Sequence, residues 1–176
     1  MRNSSTRKSL AVLIFLAVLA LVVVGCSSPG TKATGPSVKV GEAVKIDNLR
    51  FTVTAVNKVK EVGAAGNSFK IKDGDFVVVD MLVENVGQKA SSFDGEMAKC
   101  YDADNQLYEL NLEAAAAACN ATGEEYQNLW FGSLEPGAKA KTKAIFEIPA
   151  DIKGLKVELR SAEIGSENLA LVSLGI

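Results

Sequence analysis

The chain has 176 residues, of which 48% are apolar and 23% are charged, and it contains three cysteines and no histidine. Its length fits one domain, and the absence of histidine excludes the Ser-His-Asp and Cys-His catalytic systems and histidine-built metal sites. The net charge of −2 differs from the basic footprint of nucleic-acid-binding proteins, so we expect no nucleic acid as a partner.

The first 25 residues have the composition of an export signal. Three basic residues, Arg2, Arg7 and Lys8, precede an apolar run at residues 10–25. The composition then switches to Ser, Pro, Gly and Thr. A charged segment followed by a short apolar one is typical of a secretory signal. The run is shorter than the roughly 20 residues of a spanning helix, and an uncleaved single-span anchor is the alternative.

The sequence Val23-Val24-Gly25-Cys26 resembles the lipobox of prokaryotic lipoproteins. In that motif a small residue precedes a cysteine that is diacylated on sulfur, and cleavage occurs before the cysteine. The resemblance implies that residues 1–25 are a signal peptide and that Cys26 is the lipidated first residue of the mature protein. Acyl chains such as palmitate on Cys26 then anchor an extracytoplasmic protein to the cell membrane.

Residues 26–39 are predicted to be the lipidated cysteine and a flexible tether, because residues 27–37 contain almost nothing that a core could bury. Eleven such residues have a root-mean-square reach of roughly 18 Å. Removal of residues 1–25, which hold three of the 19 basic residues and no acidic one, leaves a formal charge of −5. The acyl chains, and not charge, must therefore supply the membrane anchor.

In the rest of the chain apolar residues recur with a period of two, which is typical of strands with one wet face. The pattern is clearest at residues 49–55, 139–148 and 155–160. Residues 76–86 are apolar on one face and mixed on the other, which predicts a central strand. Frequent turn signals between these short runs favour a β-sandwich.

Residues 112–119, Leu-Glu-Ala-Ala-Ala-Ala-Ala-Cys, have high helix propensity and predict a short helix that connects strands. Cys100 and Cys119 remain once Cys26 is lipidated. An even number of cysteines in an exported protein predicts a disulfide between them. The alternative is a pair of buried free thiols.

Strand and turn motifs along the chain carry a family resemblance: Val40-Gly41-Glu42-Ala43-Val44, Phe51-Thr52-Val53, Gly74 to Asp80 with Val83 to Gly87, Leu134-Glu135-Pro136-Gly137 and Phe146-Glu147-Ile148-Pro149. Their order resembles a domain-of-unknown-function family of secreted prokaryotic lipoproteins, which is similar to the immunoprotective extracellular antigens. The resemblance implies an all-β, immunoglobulin-like antiparallel β-sandwich over residues 40–176. The family offers no agreed catalytic activity that the resemblance could carry over to this chain.

A partner patch is the first candidate site. Lys139, Lys141 and Lys143 alternate on one predicted strand and would meet an acidic partner or an anionic wall polymer. Alternating lysines also protect an edge strand from pairing with another molecule, which is the alternative. Trp130, with its neighbours Tyr126 and Phe131, would add aromatic area to an exposed patch. A single tryptophan in a sandwich is, in the alternative interpretation, buried between the sheets.

Residues 102–109, Asp-Ala-Asp-Asn-Gln-Leu-Tyr-Glu, are rich in the oxygen-bearing side chains that bind calcium. A helix-loop-helix calcium site requires Asp or Asn where Gln106 stands and glycine where Leu107 stands. We therefore predict a hairpin turn and no metal site.

The sequence contains no marked carboxylate pair and no phosphate-binding glycine loop, so we expect no enzyme activity and no cofactor. The predicted function is a non-catalytic binding or interaction module at the cell envelope, with an unidentified protein or envelope partner. The alternative is a carrier that holds a small molecule at the membrane surface, which requires a sizeable apolar pocket.

Overall fold

The computed structural model describes residues 35–176, so the predicted signal peptide and Cys26 lie outside the described residues. The described range contains strands β1 to β13, one α-helix, α1, and two single 3₁₀ turns. Their bounds are β1 Ser37–Lys39, β2 Ala43–Ile46, β3 Leu49–Val59, β4 Glu61–Ala64, β5 Asn67–Lys70, β6 Asp75–Asn85, β7 Ser91–Ser92, β8 Ala98–Tyr101, β9 Leu107–Glu109, α1 Leu112–Thr122, β10 Ser133–Leu134, β11 Lys139–Ile148, β12 Lys156–Arg160 and β13 Leu169–Ser173, with 3₁₀ turns at Gly95–Met97 and Leu129–Phe131.

Two sheets enclose one core. The four-stranded sheet has the order β11-β6-β3-β2 and is antiparallel, and the five-stranded sheet has the order β1-β13-β12-β8-β9. Both sheets contribute to a single buried cluster, for example through Val79 and Met81 of β6 and through Val157 and Leu159 of β12. The predicted immunoglobulin-like β-sandwich is confirmed, and β6 is a central strand as predicted.

Strand β11 begins and ends at the residues that the alternating pattern predicts, Lys139–Ile148. Its inward residues, such as Ala144 and Phe146, are buried in the core. Two outward residues, Lys143 and Ile145, are also buried, although the alternation predicts a wet face. The segment around α1 lies along this part of β11 and excludes water from it.

The ordered domain starts before the predicted boundary at residue 40. Strand β1 pairs in parallel with Leu171–Ser173 of β13, and the backbone N–H of Leu171 donates to the carbonyl oxygen of Pro36 at 2.9 Å. Residues 37–39 therefore belong to the sheet and not, as predicted, to the tether. Ser37 and Lys39 are polar and Val38 is a single apolar residue, so this strand has no alternating pattern that would reveal its main-chain hydrogen bonds to the sheet.

Helix α1 confirms the predicted short helix and extends it by one turn. The Asn111 side chain accepts a hydrogen bond from Ala114 N–H at 2.8 Å and caps the amino terminus. The alanines pack closely against the β4–β5 hairpin, since a Cβ added at Gly63 would lie 3.3 Å from Ala117 Cβ. Tertiary packing thus stabilises a helix that is too short to be stable alone.

The predicted disulfide is wrong, because Cys100 and Cys119 are both free and buried. Cys100 lies on β8 of the five-stranded sheet, opposite Val157 and Tyr108. Cys119 lies on α1, where its Sγ is 3.9 Å from Oγ1 of Thr142 on β11. The two thiols serve as small core residues of different parts of the fold.

Within residues 35–176, no helix is both long enough and apolar enough to cross a bilayer.

Candidate functional site

The most unusual polar feature of the sandwich is a buried ion pair on the outer face of the four-stranded sheet. Asp80 of β6 and Lys143 of β11 stand directly opposite each other in the antiparallel register. The ammonium group of Lys143 contacts Oδ1 of Asp80, and the two side chains are only 10% and 11% exposed. Desolvating two charges is costly unless they are paired, and here each partner satisfies the other.

A β-bulge in β3 lies beside Asp80. The register of β3 against β6 shifts between Val53, which pairs with Met81, and Ala55, which pairs with Asp80, so that Thr54 has no partner of its own. The Thr54 hydroxyl donates to the Asp80 carbonyl oxygen at 3.2 Å. Bulges change the direction of neighbouring side chains and are frequent next to functional sites. Asp80 is thus positioned by both neighbouring strands.

Tyr126 completes the cluster. The Lys143 Nζ atom lies 4.3 Å from the centroid of the Tyr126 ring, and Lys141 Nζ lies 5.8 Å from it. This is a cation–π geometry. Burial, together with the negative charge of Asp80, raises the pKa of the Tyr126 hydroxyl, so the phenol stays protonated at neutral pH.

The ion pair forms part of the wall of an open cleft of about 340 Å³. Strands β3 and β4 line one side of it, including Asn57 and Glu61, and the last turn of α1 lines the other, including Ala121. A carboxylate and an ammonium side by side in one cleft can bind a group of either charge, or a ligand that carries both. We call this cleft, with Asp80 and Lys143 in its wall and with Tyr126 in contact with Lys143, the charged groove.

The groove contains no activated nucleophile. Burial raises the pKa of the Cys119 thiol, and burial also raises the pKa of the Cys100 thiol to about 12. Both thiols therefore stay protonated at neutral pH, and a thiol is a far weaker nucleophile than a thiolate. Among residues 35–176, no three Cys, Asp or Glu side chains come together in a way that could hold a metal ion.

The predicted partner patch is not formed, because its lysines are engaged separately. Lys139 pairs with Glu84 at 3.3 Å, Lys141 pairs with Glu125 at 2.6 Å, and Lys143 is buried against Asp80. Trp130 is 1% exposed and belongs to the core, as its alternative interpretation holds, whereas Phe131 is 73% exposed. The structure brings Lys143 to the charged groove and leaves the other two lysines on a solvated face.

Strand β11 is an edge strand, as the alternative interpretation of its lysines holds, but its edge is covered by other means. Alternate carbonyl oxygens of β11, those of residues 141, 143 and 145, each accept a hydrogen bond from the segment that follows β9. The donors are Gln127 N–H at 2.8 Å, the Trp130 indole N–H at 2.7 Å and Asn111 N–H at 2.8 Å. Trp130 thus replaces a strand N–H and leaves little of this edge open to another molecule.

Residues 102–109 form the predicted hairpin: residues 102–106 are the turn between β8 and β9, and residues 107–109 are β9 itself. Asp102 Oδ1 accepts from the backbone N–H groups of Asp104 and Gln106 at 2.9 Å, and Oδ2 accepts from the Tyr108 hydroxyl at 3.0 Å. Asn105 has a φ of 64°, a conformation that Asn tolerates in turns. The hydrogen bond from Gln106 N–H contributes most to lowering the pKa of Asp102. The role of this carboxylate is therefore to stabilise the turn.

Asp80 is the site residue that sequence reasoning missed. A charged residue in the middle of a strand predicted to be central was the available signal. Its partner could not be named, because pairing with Lys143 depends on the register between two strands that are 63 positions apart. The covering segment around Tyr126 adds a second non-local requirement.

Comparison with solved structures shows the fold. The yjhA protein of Bacillus subtilis is 21% identical, with a TM-score of 0.57 over 78% of this chain and 98% of that one. The secreted protein MPT63 of Mycobacterium tuberculosis is 14% identical, with a TM-score of 0.56 over 80% and 98%. The ycdA protein of Bacillus subtilis, a candidate lipoprotein, is 10% identical, with a TM-score of 0.55 over 76% of this chain and 38% of that one.

None of the curated proteins matches this chain. A family match, to the domain of unknown function DUF4352, covers residues 38–169. This range includes the four-stranded sheet, α1, the charged groove and the five-stranded sheet up to the start of β13, and it extends over three quarters of the chain. The chain therefore belongs to the DUF4352 family.

Proposed function

We propose that this protein is an extracytoplasmic lipoprotein, anchored to the cell membrane through Cys26, whose sandwich acts as a non-catalytic binding module. The charged groove is the observation that carries the proposal. It places a carboxylate and an ammonium group together in one cleft, and the ammonium group lies over the ring of Tyr126. The lipobox resemblance supports the anchor, and the same fold in a secreted protein and in a candidate lipoprotein supports the location outside the cytoplasm.

The chemistry of the groove favours binding over catalysis. Its acid and its base are paired with each other, so neither is free to act as a general base or acid. The neighbouring Cys119 thiol is protonated and faces Thr142. A ligand that carries a charge can compete for one partner of the pair, and the ring of Tyr126 helps to hold the Lys143 ammonium group in place.

The shape of the groove favours a protein or polymer partner over a small carried molecule. Its volume of about 340 Å³ is at the lower end of the range of small-molecule pockets, which enclose most of the ligand surface. This groove is open along one side and accepts a protruding side chain or a chain segment. We therefore place the carrier function second.

In vivo photocrosslinking tests the binding function. A photoreactive amino acid replaces Ala121 at the groove in one variant and Lys156, which is exposed on the outer face of the five-stranded sheet, in the control. We expect a discrete adduct from position 121 in intact cells and none from position 156. The absence of an adduct at 121, or the same adducts at both positions, would contradict binding at the groove.

The anchor is tested separately. Mass spectrometry of the envelope fraction should find an amino-terminal Cys26 that carries acyl chains, and Cys26→Ser should release the protein from the membrane. An unmodified Cys26, or a mature chain that still begins at Met1, would refute the lipoprotein proposal. The proposal that the groove binds a partner would be unaffected.

A further inference from the structure

The described chain starts at one end of the sandwich, and the same end carries three loops. Strand β1 begins at Ser37, opposite Leu171 near the start of β13. The loop of residues 161–168 precedes β13, and the loops of residues 47–48 and 86–90 lie at the same end of the four-stranded sheet. We call this the proximal end, and we call the opposite end, with residues 149–155, the distal end.

Hydrogen bonds join the loops of the proximal end. Asp47 accepts from the Ser166 hydroxyl at 2.6 Å and from the Asn168 side-chain amide at 2.7 Å. The Asn48 side-chain amide donates to Glu163. The loop of residues 161–168 is thereby held against the four-stranded sheet, and its tip has a defined position.

Ile164 is at that tip and is fully exposed. The next residue, Gly165, has a φ of 80° that turns the chain back. Isolated exposed apolar residues are common, but this one lies on a loop that hydrogen bonds hold in place, at the end where the described chain enters the domain. An isoleucine there can enter the apolar boundary of a bilayer.

Chain length restricts the orientation, and this step rests on the proposed anchor at Cys26. Eight residues separate Cys26 from Gly35, so the connection spans at most about 30 Å when fully extended. The 11 residues of β3 make the sandwich about 36 Å long. An inverted domain, with its distal end against the lipid, is therefore out of reach of the connection.

Charged side chains oppose a side-on orientation, in which the outer face of one sheet would lie against the bilayer. The outer face of the four-stranded sheet carries Arg50 and Lys139, both ion-paired with Glu84. The outer face of the five-stranded sheet carries Lys156 and Arg160. Pressing either face into the bilayer would remove water from charged groups, which is costly. At the proximal end Glu163 and Glu167 flank Ile164, so only the Ile164 side chain enters the boundary of the bilayer and the two carboxylates stay in water.

We propose that the proximal end is the membrane-facing surface of the protein, with Ile164 in contact with the lipid. The charged groove then lies on the side of the domain, toward its distal half, and stays open to partners. The ligand of the proximal end is the bilayer itself, and the anchor keeps the loop at high local concentration near it.

Site-directed fluorescence on the full-length lipidated protein tests this orientation. Ile164→Cys and the distal control Lys153→Cys are each labelled with an environment-sensitive dye, purified with the anchor intact and placed in vesicles of phosphatidylcholine and phosphatidylglycerol. Cys100 and Cys119 are buried and remain unlabelled. We expect a blue shift at position 164, and quenching by lipids that carry a spin label, with neither effect at position 153.

Equal quenching at both positions, or stronger quenching at 153, would overturn the orientation. An unquenched label at 164 would overturn it as well. Mass spectrometry of Cys26 in the same sample separates the two proposals. If the cysteine is acylated and the label at 164 is unquenched, only the orientation fails, whereas an unacylated cysteine refutes the anchor and the orientation together.

Discussion

Removing one partner of the Asp80–Lys143 pair should destabilise the fold more than removing both. Loss of one partner of a buried pair leaves an uncompensated charge and costs about 3–5 kcal/mol. Each of these side chains keeps about a tenth of its surface exposed, so the cost should be near the lower limit. We expect Asp80→Leu and Lys143→Met each to lower the free energy of unfolding by about 3 kcal/mol.

The double variant, Asp80→Leu with Lys143→Met, should behave differently. Replacing a buried pair by apolar residues of similar size is often neutral or stabilising, and the surroundings here include the ring of Tyr126 and the alanines of α1. We expect its free energy of unfolding to lie within about 1 kcal/mol of the wild type.

Urea unfolding followed by circular dichroism measures all three variants. The exposed pair of Lys70 with Glu61, in which the Lys70 side chain is 71% exposed, supplies the matched control, and Lys70→Met should leave the midpoint unchanged. Additive losses in the double variant would refute the reasoning. So would single variants that match Lys70→Met, because the pair would then not be desolvated.

The same double variant tests why the pair is there. It keeps the fold but removes both charges from the groove, so the photocrosslink at Ala121 should be lost. A double variant that is both stable and fully able to crosslink would show that the pair is not used in binding.

Three further predictions concern the core and the turn. Trp130→Phe leaves the buried Lys143 carbonyl without its indole donor and should lower the free energy of unfolding by about 1–3 kcal/mol, whereas Phe131→Leu should change it by less than about 0.5 kcal/mol. Cys100, whose pKa burial raises to about 12, should resist thiol reagents at neutral pH until the protein unfolds. The pKa of Asp102 is lowered in the fold, so its stabilisation is present above about pH 4 and is lost as the pH falls through the folded pKa. Asp102→Asn should reduce that part of the acid sensitivity of the melting temperature.

Each of these predictions has a contradicting result. Equal losses for Trp130→Phe and Phe131→Leu would mean that the indole hydrogen bond contributes nothing. Fast labelling of Cys100 in the folded protein would show that β8 opens readily. An Asp102→Asn variant with unchanged acid sensitivity would assign the pH dependence to other carboxylates.

The sequence predicts a strand of this fold correctly where the burial of each side chain depends only on the face of the strand that it occupies. Alternation at residues 139–148 identifies β11 to the residue, because a strand with one wet face has a period of two whatever its partners are. It fails at Lys143, whose burial is caused by Asp80 on a neighbouring strand and by the segment that covers the edge. Period alone cannot represent such non-local contacts.

The other errors have the same origin. The pairing of Ser37–Lys39 with β13 uses backbone groups, and a strand of three residues with one apolar residue is too short to show an alternating pattern. The spacing of Cys100 and Cys119 says nothing about which sheet each residue joins, and distance between the two thiols decides whether a disulfide forms. The charged groove could not be predicted from the sequence, because it depends on strand register and on which sheet each residue joins more than on local propensity.

The pairing of β1 with β13 determines how the domain responds to force. The strands run parallel, so a force applied to the amino-terminal end of β1 along its axis acts parallel to β13. A pull on that side therefore loads the hydrogen bonds between β1 and β13 together, in shear, and does not peel them apart one after another. Tension on the chain is resisted first by this short mechanical clamp, and the sheets that position the charged groove are strained only after it yields.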